Sequence, residues 1–226
     1  MVAPAIQTAL GRLPVSMLQR SGSVFYTGRS AFEQQNDLYI LGLNPGGSPS
    51  LQLENTIERN VRAWQEQPND HWSAYSDEAW EGRPEGTHGM QPRMNHMFSK
   101  LGLNPRNVPA ANVVFVRTKD EAALEKEKDG LLRASWPVHE AVLGSLGIRC
   151  VLALGTTAGR WVRQKLQANE LVAEFIEDNN RKWKSTAHCA EDGRFVVTVT
   201  HPGRADWRNQ AADPSALVQK VLSATR

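Results

Sequence analysis

The chain has 226 residues, 40% hydrophobic and 22% charged, which supports one sizeable core and excludes disordered and collagen-like classes. Its 26 Lys and Arg against 24 Asp and Glu give a net charge of +2, too balanced for a protein that coats nucleic acid but compatible with a local basic face. Two cysteines, Cys150 and Cys189, are too few for a disulfide framework or a four-thiolate metal site.

In chain order, Leu38-Tyr39-Ile40-Leu41 is short, apolar and stopped by Gly42 and Pro45, the pattern of a strand buried on both faces. Residues 53–67 place Ile57, Val61 and Trp64 at helical spacing. Pro68 to Met90 is rich in Pro, Gly, His and Trp without a period, and predicts a lid-like insertion over about 48–90 within a single domain, 1–226. From Arg93 to Leu103, Met94, Met97, Phe98 and Leu101 repeat as a helix face. Further buried strands are expected at Val113–Val116, Cys150–Leu154 and Phe195–Val199. Between them, Ser135 is expected to cap a helix with Pro137 in its first turn, Thr156 or Thr157 to open the next, and Asp213-Pro214 to begin the last. Strands alternating with helices predict an α/β fold, a three-layer α/β/α sandwich around a mostly parallel four-stranded sheet. Its binding crevice should lie beyond the carboxyl ends of the strands.

The segments just after the strands are the informative ones. The first strand leads into Gly42-Leu43-Asn44-Pro45-Gly46-Gly47-Ser48, a tight turn where backbone can approach a ligand and one amide side chain stands at the crevice. The last leads into Thr200-His201-Pro202-Gly203-Arg204-Ala205-Asp206-Trp207-Arg208. A neutral His there can donate to an oxygen that gains negative charge, Arg204 and Arg208 suit phosphates, and Trp207 suits stacking or wedging. Taken singly, each segment also reads as ordinary structure: an Asn-Pro turn, a capping or packing His, and a packed Trp.

Together the two turns resemble the uracil-DNA glycosylase superfamily, whose members carry Gly-x-Asn/Asp-Pro-Gly/Tyr after the first strand and His/Asn-Pro-Ser/Gly after the last. Gly42-Leu43-Asn44-Pro45-Gly46 is similar to the first motif and His201-Pro202-Gly203-Arg204-Ala205 to the second. Ala111 to Arg117 resembles the Asn-bearing strand of the iron–sulfur uracil glycosylases, and Leu154-Gly155-Thr156-Thr157-Ala158 their Leu-Gly-x-x-Ala turn. The four stretches run in order from about residue 37 to 208.

The resemblance implies a uracil-DNA glycosylase-like fold and a DNA partner containing a damaged or modified pyrimidine. It implies that Asn44 positions the attacking water, that Asn112 reads the pyrimidine edge and that His201 stabilises charge on the departing base. Gly42, Leu43, Pro45, Gly46 and Gly47 would surround the base, and Ser48, Arg204, Trp207 and Arg208 would contact DNA. No Lys stands in these motifs, so the expected reaction is hydrolysis to an abasic site without an amine intermediate.

The departures narrow the substrate. With two cysteines the chain lacks the cluster of the thermophile-type relatives, and no cofactor or metal is expected. Uracil-specific members carry a Tyr where Gly46 stands, so a C5 substituent meets no wall. Deaminated or C5-modified pyrimidines follow, including bulky ones such as glucosylated hydroxymethylcytosine of phage DNA, which some members of the wider family remove. Ala205 replaces the intercalating Leu of the second motif and is too small to fill the gap left by a flipped base. In the lid, Trp72, Tyr75 and Trp80 stack on a base, line its pocket or pack the lid, and His71 and His88 have no metal-site spacing.

Two other classes compete: a catalytically inactive DNA-binding member of the same fold, and a nucleoside or nucleotide hydrolase acting on small molecules. The second would want a glycine-rich loop opening directly into a helix, whereas Gly42 to Pro49 holds two prolines and no Lys. No charged segment precedes an apolar core at the N-terminus, and no apolar run approaches the roughly 18 residues that span a bilayer. A cytoplasmic monomer without membrane contact is the expectation.

Overall fold

The computed structural model of the chain describes residues 1–224. One sheet contains β1 (Leu38–Gly42), β2 (Ala110–Asn112), β3 (Cys150–Leu154), β4 (Glu170–Ile176), β5 (Lys184–Cys189) and β6 (Phe195–Val199), in the order β2-β1-β3-β6-β5-β4. The first four in that order are parallel, and β5 and β4 extend the sheet antiparallel. The fold is therefore α/β with a mostly parallel sheet, but the expected four strands fall short by two. β4 is an edge strand open to solvent along most of its length, and β5 carries Lys184, Ser185, Thr186 and His188. Neither presents the unbroken apolar run of a strand buried on both faces.

β1, β3 and β6 occupy the expected positions; the apolar run Val113–Val116 does not lie within β2 but follows it. Val113 and Val114 N–H groups donate to the carbonyls of Gly42 and Leu43 at 2.8 and 3.0 Å, and Ser23 N–H then donates to Phe115 O at 3.0 Å. The run is fully buried because the N-terminal segment covers this side, with Phe25 bridging Ala111 and Gly22 bridging Val116.

Alternate strand residues divide between two helical layers. Tyr39, Leu41, Val151, Ala153 and Val196 pack with α1 (Pro4–Gly11), the short α2 (Val15–Leu18), α3 (Ile57–Glu66), α5 (Glu121–Leu146) and α6 (Thr156–Leu166). Leu38, Ile40, Leu152, Leu154, Val197 and Val199 pack with α4 (Gln91–Leu101) and α7 (Ser215–Ala224). The result is the expected three layers.

The helix expected to start at Ser135 starts much earlier. Asp120 caps α5 by accepting the Ala123 N–H at 2.8 Å, and Pro137 lies inside the helix. A prolyl residue there forfeits one intrahelical bond, but Leu132, Trp136, Val138, His139, Val142 and Leu143 are buried around it and hold the helix against the sheet. Ser135 is itself buried, and its Oγ has no hydrogen-bond partner among the described residues.

The 68–90 segment forms no helix or strand, yet it is tied to the body of the protein. Ala74 N–H donates to Tyr26 O at 2.8 Å, Gln91 Nε2 donates to Ala74 O and Glu78 O at 2.7 and 2.8 Å, and Arg106 pairs with Asp77. Tyr75 is buried in the α4/α7 layer and Trp80 packs against it.

Candidate active site

The chain leaves β1 for β2 on one side of it, through α3 and α4, and leaves β3 for β6 on the other side, through α6. The direction of winding thus reverses between β1 and β3, the point at which parallel α/β sheets open a crevice at their carboxyl edge. A cavity of about 480 Å³ lies there, lined by Leu43 after β1, by Leu154 to Ala158 after β3, and by Thr200, His201 and Arg204 after β6.

The His201 turn is held by its own backbone. Arg204 and Ala205 N–H groups donate to His201 O at 2.8 and 3.2 Å, and Trp207 Nε1 donates to Thr200 O at 3.2 Å. Gly203 N–H donates to His201 Nδ1 at 3.0 Å. An amide N–H can only donate, so Nδ1 is the acceptor and a neutral imidazole carries its proton on Nε2. Burial, and then the charge of Arg204, lower the His201 pKa from its ordinary value and favour that neutral form. The ring packs over Gly155, whose φ of +102° belongs to the region that favours glycine.

Gly42 and Asn112 stand opposite each other across β1 and β2. Asn112 Oδ1 occupies the space that a side chain at position 42 would need, and its Nδ2 donates to Tyr26 OH at 3.0 Å. Tyr26 stacks on Tyr75 with ring centroids 6.2 Å apart, and burial raises the pKa of its hydroxyl. Behind Asn112, Tyr39 OH donates to His139 Nδ1 at 2.8 Å and His139 Nε2 donates to Val113 O at 3.1 Å. The carbonyl only accepts, which fixes this tautomer, and burial pushes the His139 pKa down to about 4.

Asn44 and Asn112 do not line the cavity. Asn44 Nδ2 turns towards the 116–118 segment and donates to Thr118 Oγ1 at 3.1 Å, leaving Oδ1 without a hydrogen bond among the described residues. Pro45 is buried, Gly46 and Gly47 are exposed, and Ser48 Oγ meets Ser50 Oγ at 2.9 Å. A Cβ on Gly46 would meet nothing within 4 Å.

Of the expected DNA contacts, Arg204 is exposed, lines the cavity and has no acidic partner among the described residues. Trp207 is fully buried in the α7 layer, so it packs the core and is no wedge. Arg208 is exposed and paired with Asp206 through two bonds of 2.9 Å, which hold the Asp206 carboxyl down at about 2. Trp72, Tyr75 and Trp80 are absent from the cavity wall.

Three wall residues escape a reading of strand ends. Trp183 and Lys184 come from the hairpin between β4 and β5, and Glu121 from the first turn of α5, where Thr157 Oγ1 donates to it. Trp183 is 38% exposed, with the Arg181 guanidinium 4.3 Å above its ring. Arg181 also donates to Arg204 O at 2.8 Å and so joins the hairpin to the His201 turn. An exposed aromatic after a run of polar residues was the available signal. Among the described residues, no three His, Cys, Asp or Glu side chains gather where they could hold a metal ion, and no helix is long and apolar enough to cross a membrane. No known protein-family model matches the chain, and no curated protein matches it.

Proposed function

We propose that the chain is a monofunctional DNA glycosylase that takes an extruded, deaminated or C5-modified pyrimidine into the cavity and hydrolyses its bond to deoxyribose. The observation that carries this reading is His201, a half-buried imidazole whose Nδ1 is occupied by Gly203 N–H and whose Nε2–H is left to donate. As the glycosidic bond lengthens, its electron pair moves onto the base, and a fixed neutral donor at a ring oxygen stabilises the charge that develops. Water then adds to the sugar carbon, and the proton it loses balances the anionic base. Asn44 Oδ1, without a hydrogen bond among the described residues, is the acceptor that would orient this water. α6 starts without a side-chain cap, so its first N–H groups at Thr156 and Thr157 add positive potential to the same wall.

Arg204 suits a phosphate beside the extruded nucleotide, and Trp183 offers a face on which a base can stack. Gly46 lies outside the cavity wall, and with no side chain there to close off the C5 side of a base, the reading extends to substituted pyrimidines as well as uracil. Lys184 is the amine among the wall residues, and its Nζ is paired with Glu174 at 3.4 Å; borohydride should therefore trap no covalent adduct.

A second reading, a DNA-binding protein without catalysis, is favoured by one observation: Asn44 stands outside the cavity wall. Paired measurements of turnover and DNA binding in Asn44→Ala and His201→Ala separate the two. A glycosylase loses turnover by orders of magnitude and keeps its affinity; wild-type binding with no turnover would establish the second.

A further inference from the structure

Extruding a base from a duplex leaves a gap in the stack that a protein side chain must fill. The turn after β6 has no exposed apolar side chain to offer, since Ala205 is 1% exposed and Trp207 is fully buried. The loop after β1 does. Gly46-Gly47-Ser48 leads into a 3-10 turn at Pro49–Leu51, where Leu51 is 86% exposed, and Leu53 just beyond it is 68% exposed.

This tip stands on a fixed base. Gln52 N–H donates to Pro49 O at 3.2 Å, Asn55 N–H to Gln52 O at 3.0 Å, and Gly22 N–H to Asn55 O at 2.9 Å. Beside the start of this loop lies Arg117, whose Nε donates to Ser21 Oγ at 3.1 Å and whose Nη1 comes close to where a Cβ on Gly47 would stand. No carboxylate pairs with this half-buried cation among the described residues. An apolar loop tip with an unpaired guanidinium at the loop's start is complementary to a duplex, whose stacked bases are apolar and whose strands carry phosphates at their edges. Leu43, three residues before Gly46, lines the cavity, so the loop rises from the same edge of the sheet as His201.

We propose that Leu51 enters the base stack of duplex DNA while Arg117 takes an adjacent phosphate, an inference that rests on the glycosylase reading and makes duplex DNA the substrate form. The test uses a uracil-containing duplex with the fluorescent base 2-aminopurine beside the uracil, together with the matching single strand. Wild type should raise the fluorescence on binding by unstacking the probe. Leu51→Ala should lose most of that rise, and its ratio of duplex to single-strand base release should fall by about 10- to 100-fold, the factor for one buried leucine side chain. Leu51→Met should restore both. Arg117→Gln should reduce the salt slope of duplex binding by about one. Equal fluorescence for wild type and Leu51→Ala, or no rise with either, overturns the insertion. A Leu51-dependent rise without base release from any oligonucleotide would remove the glycosylase reading and leave the insertion standing.

Discussion

Truncating His201 to Ala removes the donor that should carry most of the charge stabilisation, and the structure sets both the size and the selectivity of the effect. One fixed donor to a developing anion is worth about 10²- to 10³-fold in rate, or about 3 to 4 kcal/mol. The folded state loses little, because the Gly203 N–H that His201 Nδ1 accepts lies in an exposed turn where water replaces it, a change of about 0.5 to 1.5 kcal/mol. The same geometry fixes the pH dependence. Protonation puts a hydrogen on Nδ1 facing Gly203 N–H, so the imidazolium both breaks the turn and is the disfavoured form. His201 is held below the ordinary value of 6.5 by burial and then by Arg204; activity should therefore be level near neutrality and fall only as acidification passes that lowered pKa. Arg204→Gln removes the smaller of the two causes and should move the acid limb towards higher pH while leaving it below the ordinary value. Single-turnover base release measured across pH, with thermal melting as control, reads both effects. A His201→Ala rate within about threefold of wild type, or a wild-type acid limb at or above the ordinary histidine value, would refute the assignment.

Gly46→Tyr should fold normally, since a side chain there meets open space, and should narrow base release to pyrimidines without a C5 substituent; unchanged preference across substituted bases would count against the open-wall account. Trp207→Ala should cost about 3 to 5 kcal/mol in urea unfolding, whereas Trp183→Ala should leave stability nearly unchanged and weaken single-stranded DNA by about 1 to 3 kcal/mol. His139 provides a stability test through its folded pKa of about 4 against 6.5 when unfolded. The unfolded chain binds the proton first, so stability should be fully present above 6.5 and decline by about 3 kcal/mol as pH falls through that window. His139→Gln should flatten that decline in pH-dependent urea titrations.

What the sequence showed best was what buried strands and their exits must look like. β1, β3 and β6 are apolar because both faces are covered, and the turns that follow them must change composition abruptly to reach the carboxyl edge. Of the residues expected at the strand ends, Leu43, His201 and Arg204 line one cavity, whereas Asn44 and Asn112, expected beside them, do not. β4 and β5 stayed hidden because an exposed edge strand and a polar neighbour have no apolar run, and Trp183 and Lys184 stayed hidden with them. α5 misled through Pro137: the first half of the helix, Glu121 to Gly130, has no wide apolar stripe, so the visible periodicity began near Ser135. Trp207 was misplaced because sequence shows residue type and not direction, and its indole faces the core; Arg208 stays exposed, with Asp206 as its partner.

Base release from matched single- and double-stranded oligonucleotides, each carrying one modified pyrimidine, with alkaline cleavage reporting abasic sites, tests the central claim most directly. The panel should include uracil, hydroxymethylcytosine and glucosylated hydroxymethylcytosine. The glycosylase account predicts strand breakage at one class of pyrimidine, dependent on His201 and absent before alkali. No breakage on any member of the panel, with salt-sensitive DNA binding intact, would contradict it and leave a binding protein on the same fold.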